Sequence, residues 1–236
     1  MAKKKNILGR FLRLVLLWIP LGFIALTFLW VLLLKWIPPV STPLMVQRAM
    51  EYRSDKDFKT HYKWVSYEHI SAEMARAVIA SEDNLFFDHD GFDRKAIKQA
   101  IEDKKAGKAQ RGGSSISQQT AKNVFCTHRR DVLRKGFETY FTLLIEWMWG
   151  KQRILEVYLN GAEMGKGIYG AQAAAEVYWN ENASEITRRQ ACLIAACLPS
   201  PLKRSPVKPG TYVSKQANTI SARENNIAYP DWIYHK

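Results

Sequence analysis

Between Ala80 and Phe92 the chain reads Ala-Ser-Glu-Asp-Asn-Leu-Phe-Phe-Asp-His-Asp-Gly-Phe, which sets Glu82, Asp83, Asp88, His89 and Asp90 among Leu85, Phe86, Phe87 and Phe92. A carboxylate held against apolar surface loses hydration. Its charged form is then disfavoured, and its pKa rises toward the range where it can exchange protons near neutral pH. Glu82 is therefore the first catalytic candidate. A helix end followed by an acidic turn pinned by phenylalanines would read the same way, and this segment alone leaves both readings open.

A second constellation follows in Arg111-Gly-Gly-Ser-Ser-Ile-Ser-Gln-Gln-Thr-Ala-Lys-Asn-Val-Phe125. Gly112 and Gly113 permit a tight backbone, and Ser115 with Gln118 has the spacing of a capping box that opens a helix. Ser115, Gln118, Gln119 and Lys122 then recur at i, i+3, i+4 and i+7, so a polar stripe occupies the face that an amphipathic helix usually makes apolar. A glycine-rich turn into a helix N-terminus is also a natural anion site. No GK[ST] follows the glycines, so this is not a Walker loop. An exposed polar face with a good cap is the competing account.

A third group lies on a long helix expected from about Arg130 to Trp149, where Arg130, Arg134 and Glu138 share one stripe. Glu138 sits among Leu133, Phe137, Tyr140, Phe141, Leu144 and Ile145, and a carboxylate there needs a partner. Arg134, one turn earlier, supplies a structural ion pair on one reading. On the other, Lys122, Arg130 and Arg134 bind phosphates, for which ammonium groups and guanidinium forks are suited, and Glu138 tunes them or meets substrate.

The elements that must position these groups read as mainly α. Apolar residues at helical spacing predict a helix over Glu73–Ser81 ending beside Glu82. Asp93 caps a helix through Ile97 and Ile101 that stops at Gly107, and Thr187 with Gln190 caps one ending at Leu198. Strand-like alternation is scarce. The basic stretch Arg94, Lys95, Lys98, Lys104, Lys105, Lys108 and Arg111 reads either as a solvated face or as a surface for lipid or substrate.

Across 236 residues the net charge of +13 favours a polyanionic partner: nucleic acid, an anionic membrane surface or a phosphate-bearing substrate. The N-terminus selects the membrane over nucleic acid. Leu14–Leu34 holds 21 residues without a charge, which as a helix reach about 30 Å, the thickness of a bilayer core. Lys3, Lys4, Lys5, Arg10 and Arg13 precede the span and only Lys35 follows it at once, so residues 1–13 read as a cytoplasmic tail and the rest as outside. No small-x-small cleavage site follows, which favours an uncleaved anchor over a signal peptide. Pro20 is expected to kink the span. Pro38, Pro39 and Pro43 make a stiff exit; residues 35–65 read as linker and domain entry, with the soluble domain beginning between about Thr42 and Val65, and 66–236 as its main body. Cys126, Cys192 and Cys197 are odd in number and read as buried small residues. Without a CxxC or HExxH pattern, a protein-built metal site is not expected.

The ordered motifs Glu82-Asp83-x-x-Phe86-x-x-His89-x-Gly91, Arg111-Gly-Gly-Ser-Ser-Ile-Ser-Gln-Gln-x-x-Lys122-Asn123, Arg134-Lys135-x-x-Glu138 and Lys151-x-x-Ile154-Leu155-Glu156-x-Tyr158-Leu159-Asn160 resemble those of the bacterial peptidoglycan glycosyltransferases. With one anchor and no second domain, the chain is most similar to the monofunctional biosynthetic transglycosylases. The resemblance implies a lysozyme-like domain that joins a growing glycan, carried on polyprenyl pyrophosphate, to the 4-hydroxyl of lipid II with inversion. It implies Glu82 as general base and Glu138 as a second essential acid. Lys122, Arg130 and Arg134 would hold pyrophosphate, and Ser115, Gln118 and Gln119 would shape the pocket. Asp83, Phe86, His89, Gly91, Gly113, Asn123 and Lys135 support the motifs. No cofactor is required, though a divalent cation, Mg or Mn, could assist. Lipid II, the lipid-linked glycan and the membrane are the expected partners, with cell-wall synthesis or division proteins beyond them and no nucleic acid.

Ser115 and Ser117 stand where threonine is commoner in that family, and both keep the hydroxyl. Ser200-Pro-Leu-Lys203 fits the Ser-x-x-Lys of a transpeptidase by coincidence, since no KTG follows. Two other functions compete: a lysozyme-like lytic enzyme, which needs a catalytic Glu but no pyrophosphate site, and a noncatalytic membrane-anchored scaffold, which needs only charge.

Overall fold

The structure, a computed structural model, describes residues 9–11, 13–107, 113–127 and 131–234. Arg111, Gly112 and Arg130 among the expected site and motif residues, and Lys3, Lys4 and Lys5 of the basic tail, lie outside these. The chain forms two compact units that divide between Pro38 and Pro39.

The first unit is an apolar helix over Gly9–Leu34, long and apolar enough to cross a membrane. Within it, Leu14–Trp18 is a π turn that leads into α1 (Ile19–Leu34). Pro20 explains the widening. It has no N–H to return to the preceding turn and its ring crowds the carbonyl four residues back, so the chain opens by one residue and the Ile19 N–H reaches the Leu14 carbonyl.

The second unit is mainly α, as expected. In order it contains α2 (Pro43–Glu51), β1 (His61–Tyr62), α3 (Ala72–Glu82), α4 (Arg94–Lys105), α5 (Ile116–Phe125), α6 (Val132–Met148) and α7 (Lys151–Gly161). There follow β2 (Glu163–Gly165), β3 (Ile168–Tyr169), α8 (Gly170–Trp179), α9 (Arg188–Cys197) and α10 (Thr211–Glu224). The three short strands form one sheet in the order β1-β3-β2, with β1 parallel to β3 (His61 opposite Ile168) and β2 antiparallel to it. Residues 39–65, read from sequence as linker and entry, are folded into this unit. Leu44 and Met45 of α2 are buried with Tyr169, and the Arg48 guanidinium reaches Glu163 at 3.1 Å.

Two groups of helices carry the functional residues. In one, α3 packs on α9 and α10. Small residues on these helices, Ala75, Ala77 and Ala80 on α3 and Ala191, Cys192, Ala195 and Ala196 on α9, are buried and leave room for close packing. In the other, α5 packs on α6 and α7. Phe125 stacks on Phe141 with ring centroids 4.5 Å apart, and Trp149 closes the cluster. The caps expected from sequence are present: Ser115 with Gln118 and Thr187 with Gln190 form reciprocal capping boxes, and Asp93 accepts from the Ala96 N–H at 2.9 Å. All three cysteines are free and buried.

Candidate active site

Glu82 is the last residue of α3, and Asp83 is its C-cap. This placement ends the helix at the seam between the two groups of helices. The Glu82 Oε2 accepts from the Gln119 Nε2 on α5 at 2.9 Å, and its Oε1 accepts a longer bond from the Ser81 hydroxyl at 3.4 Å. Glu82 as a residue is half-buried, with protein packed closely around its carboxyl. Burial raises its pKa above the ordinary glutamate value, against the opposing pull of Gln119, Ser81 and the positive charge of Lys122; the charge on Asp83 adds to the rise.

Asp83 does a different job. It is buried, its Oδ2 accepts the Ile116 N–H at 2.9 Å, and its Oδ1 lies 2.9 Å from the His89 Nε2. Ile116 is the first residue of α5, so this carboxylate satisfies an orphan helix N–H and ties the start of α5 to the end of α3. The other ring nitrogen of His89, the buried Nδ1, has no partner among the described residues.

The turn after Asp83 is fixed from several sides. Phe86 is fully buried beneath the Lys151 ammonium, 4.7 Å from the ring centroid. Lys151 also donates to the His89 carbonyl at 2.6 Å and pairs with Glu146 at 2.8 Å, and Glu146 accepts from the Ser117 hydroxyl. Gly91 has φ +85, and a Cβ there would lie 2.7 Å from the Thr142 Cγ2. Only glycine suits that backbone and that space. The Gly91 carbonyl accepts from Ser115 Oγ at 2.5 Å. Gly113 lets α4 come close, since a Cβ there would lie 3.1 Å from the Ala100 Cβ.

The expected polar stripe divides in two. Ser115 and Gln118 are buried and bond to each other in the cap, so they hold the helix start in place. Gln119 and Lys122 face the glutamates. Gln119 is fully used: its Nε2 donates to Glu82 and to the Ser114 carbonyl, and its Oε1 accepts from the Tyr158 hydroxyl at 3.3 Å. The Lys122 ammonium has no direct hydrogen-bond or ion-pair partner among the described residues. Burial lowers its pKa, the charges of Glu138 and Glu82 pull it back up, and those of Arg134 and Lys135 depress it further. Asn123 is buried on the same helix.

Glu138, 2 % exposed on α6, pairs with Arg134 at 2.5 Å and with Lys135. The partner expected for this buried carboxylate is therefore present, together with a second cation. Arg134 and Lys135 follow the Asp131 cap, whose side chain accepts the Arg134 N–H at 2.6 Å. Glu82, Gln119, Lys122, Arg134, Lys135 and Glu138 thus form one electrostatically linked group. Among the described residues no cluster of three or more His, Cys, Asp or Glu side chains is placed to hold a metal ion.

The roles within the fourth motif were not assigned from sequence. Glu156 accepts the Tyr67 N–H at 3.0 Å, and Asn160 brackets Val65 by accepting its N–H at 3.0 Å and donating to its carbonyl at 2.9 Å. Tyr158, fully packed, steadies Gln119, and burial pushes its hydroxyl pKa well up, so it stays a donor. Polar side chains at regular spacing on an otherwise buried helix were the available signal, but their targets lie 39 to 95 residues away.

Comparison with known proteins points to one family. Residues 47–225 match the transglycosylase family. A protein of Caulobacter vibrioides named biosynthetic peptidoglycan transglycosylase is 47% identical over 211 residues, 89% of this chain and 90% of that one. Proteins of the same name from Bacteroides thetaiotaomicron (48% identical, 84% of this chain and 80% of that one) and Pseudomonas aeruginosa (44%, 90% and 92%) are similar. A match across more than half of the chain, with relatives this close over most of their length, shows that the chain belongs to the transglycosylase family.

Proposed function

We propose that this chain polymerises lipid II into β-1,4-linked peptidoglycan strands and releases polyprenyl pyrophosphate. The observation that carries the reading is the closeness of a glutamate of raised pKa, Glu82, to a half-buried lysine, Lys122, that has no ion-pair partner among the described residues and feels the charges of both Glu82 and Glu138. Glu82 acts as general base and removes the proton from the 4-hydroxyl of the incoming lipid II. The freed oxygen attacks the anomeric carbon of the donor as the bond to pyrophosphate breaks, and Lys122, with Arg134 near it, takes up the negative charge that develops on the leaving group. Attack from the face opposite the leaving group inverts that carbon, so no covalent glycosyl-enzyme is needed. Glu138 holds Arg134 and Lys135 in place and sets the field around Lys122. By the resemblance of the motifs, Arg130 is expected to bind the same pyrophosphate. A divalent cation, Mg or Mn, is compatible as a companion of the substrate phosphates.

The apolar helix Gly9–Leu34 supports a single-pass anchor, and the basic residues before it support a cytoplasmic N-terminus with the catalytic unit on the outer face of the inner membrane. That location suits a lipid-linked sugar and, further, contact with other cell-wall synthesis or division proteins.

Gel separation of products from labelled lipid II tests the reading. The wild type should give a glycan ladder and Glu82→Gln none. Release of fragments from finished sacculi with no polymer from lipid II would instead make the protein a lytic enzyme, and absence of any turnover would leave a scaffold.

A further inference from the structure

The family match ends at residue 225, yet the following segment is packed against the helix that ends in Glu82. Residues 226–234 close with a short 3-10 turn over Asp231–Tyr234, in which Ile233 is fully buried. Tyr229 and Trp232 meet Phe87, in the turn after Glu82, edge to face at centroid distances of 6.4 and 5.8 Å. Phe87 in turn stands edge-on to the buried Phe86 at 5.3 Å. On the other side Trp232 meets Tyr67 at 5.5 Å, and the Tyr67 hydroxyl donates to the Ile233 carbonyl at 3.4 Å. The body of α3 is gripped as well: the Arg76 guanidinium lies over the rings of Tyr229 and Tyr234 at 5.3 and 5.8 Å, and the Tyr229 hydroxyl donates to the Arg76 carbonyl at 3.4 Å. At the end of α10, Arg223 donates to the Ala80 carbonyl at 2.9 Å, two residues before the glutamate.

We propose that residues 226–234 form a positioning strap that fixes the end of α3 and the turn after it, so that Glu82 meets Gln119 in the orientation the reaction needs. The strap touches no substrate; Trp232 and Tyr229 act through Phe87 and Arg76. Aromatic edge-to-face pairs suit such a task because large, stiff rings hold an angle at little entropic cost. The groups that set the charge on Glu82 are Asp83 beside it, Lys122 on α5 and Tyr158 on α7, and none belongs to the strap. Loosening the strap therefore acts through geometry and hydration alone. It lets water reach the carboxyl and so reduces the burial that raises its pKa.

The inference rests on Glu82 being the base, and the test separates the two ideas. Full-length protein is assayed on labelled lipid II, below the melting transition of each variant, as wild type, Trp232→Leu, Trp232→Phe, Phe87→Leu, Trp232→Leu/Phe87→Leu and Glu82→Gln. The expected result for Trp232→Leu is a fall in kcat of about tenfold with KM nearly unchanged, as for a small misplacement of a reacting group. The acid limb of its pH profile should move to lower pH. Trp232→Phe should restore both, and the double variant should lose no more than the worse single one. A lowered melting temperature with unaltered kcat and pH profile would overturn the strap, as would additive losses or a rise in KM alone. If Glu82→Gln is dead and Trp232→Leu normal, the strap falls and the base stands; if Glu82→Gln polymerises at the wild-type rate, both fall.

Discussion

The Gln119 amide donates to Glu82 at 2.9 Å and is itself held by the Tyr158 hydroxyl at 3.3 Å, so the orientation of the carboxyl is set by a side chain that has no freedom to turn. The same bond favours the charged form of Glu82 and opposes the effect of burial.

Gln119→Ala removes that opposition. The Glu82 pKa should rise further, and a base must be deprotonated to work, so the acid limb of kcat/KM should move to higher pH, with kcat down about 10- to 100-fold. This direction is opposite to the one expected on loosening the strap. A limb that stayed in place in a pH–rate series would show that Gln119 does not tune the base.

Glu82→Gln should make the protein more stable at neutral pH. A carboxyl whose folded pKa is raised binds its proton more tightly in the native state, so it contributes most to stability below its unfolded pKa and loses that contribution as pH rises through the folded value. Glutamine does not titrate. The advantage of the variant over wild type, read from urea midpoints, should therefore be largest near neutrality and shrink as pH falls toward the ordinary glutamate range. An advantage that grew on acidification would contradict the raised pKa.

Lys122→Met keeps the length of the side chain and deletes the charge. Losing a cation aimed at charge that develops in the transition state should cost about 10²–10³ in kcat, with a smaller change in KM. The fold should be retained, because the native lysine is held at a cost of desolvation. Steady-state kinetics with lipid II check this; a purely KM effect would make Lys122 a ground-state binder.

Gly91→Ala should destabilise by about 1–3 kcal/mol, since alanine is strained at positive φ and its methyl would press on Thr142 and Glu146. The Gly91 carbonyl also holds the Ser115 hydroxyl, so activity should fall along with stability. Thermal melts beside a lipid II assay test the link, and a stable but inactive protein would argue against a packing cause.

Much of this site was legible because its signals are local. The Ser115–Gln118 and Thr187–Gln190 caps, the position of Glu82 at a helix end and the Arg134–Glu138 spacing each depend on residues within four of one another. The division of the polar stripe was not legible. Whether Ser115 or Lys122 turns toward the glutamates is decided by Gly91 and Asp83, which lie in another segment. The elements of the entry region were not legible for the same reason: α2 and β1 are short, and they are held by Glu163 and β3, which lie more than 100 residues further along. Nothing in the periodicity of residues 226–234 announces that they will lie on α3.

Asp83 follows Glu82 directly in the chain and holds the first N–H of α5, the helix that carries Lys122 less than two turns further on. Glu82 and Lys122, proposed as proton acceptor and as cation for the leaving group, are thus both placed from one shared contact. A substitution at Asp83 is therefore expected to shift the two residues relative to one another, whatever it does to the packing around them.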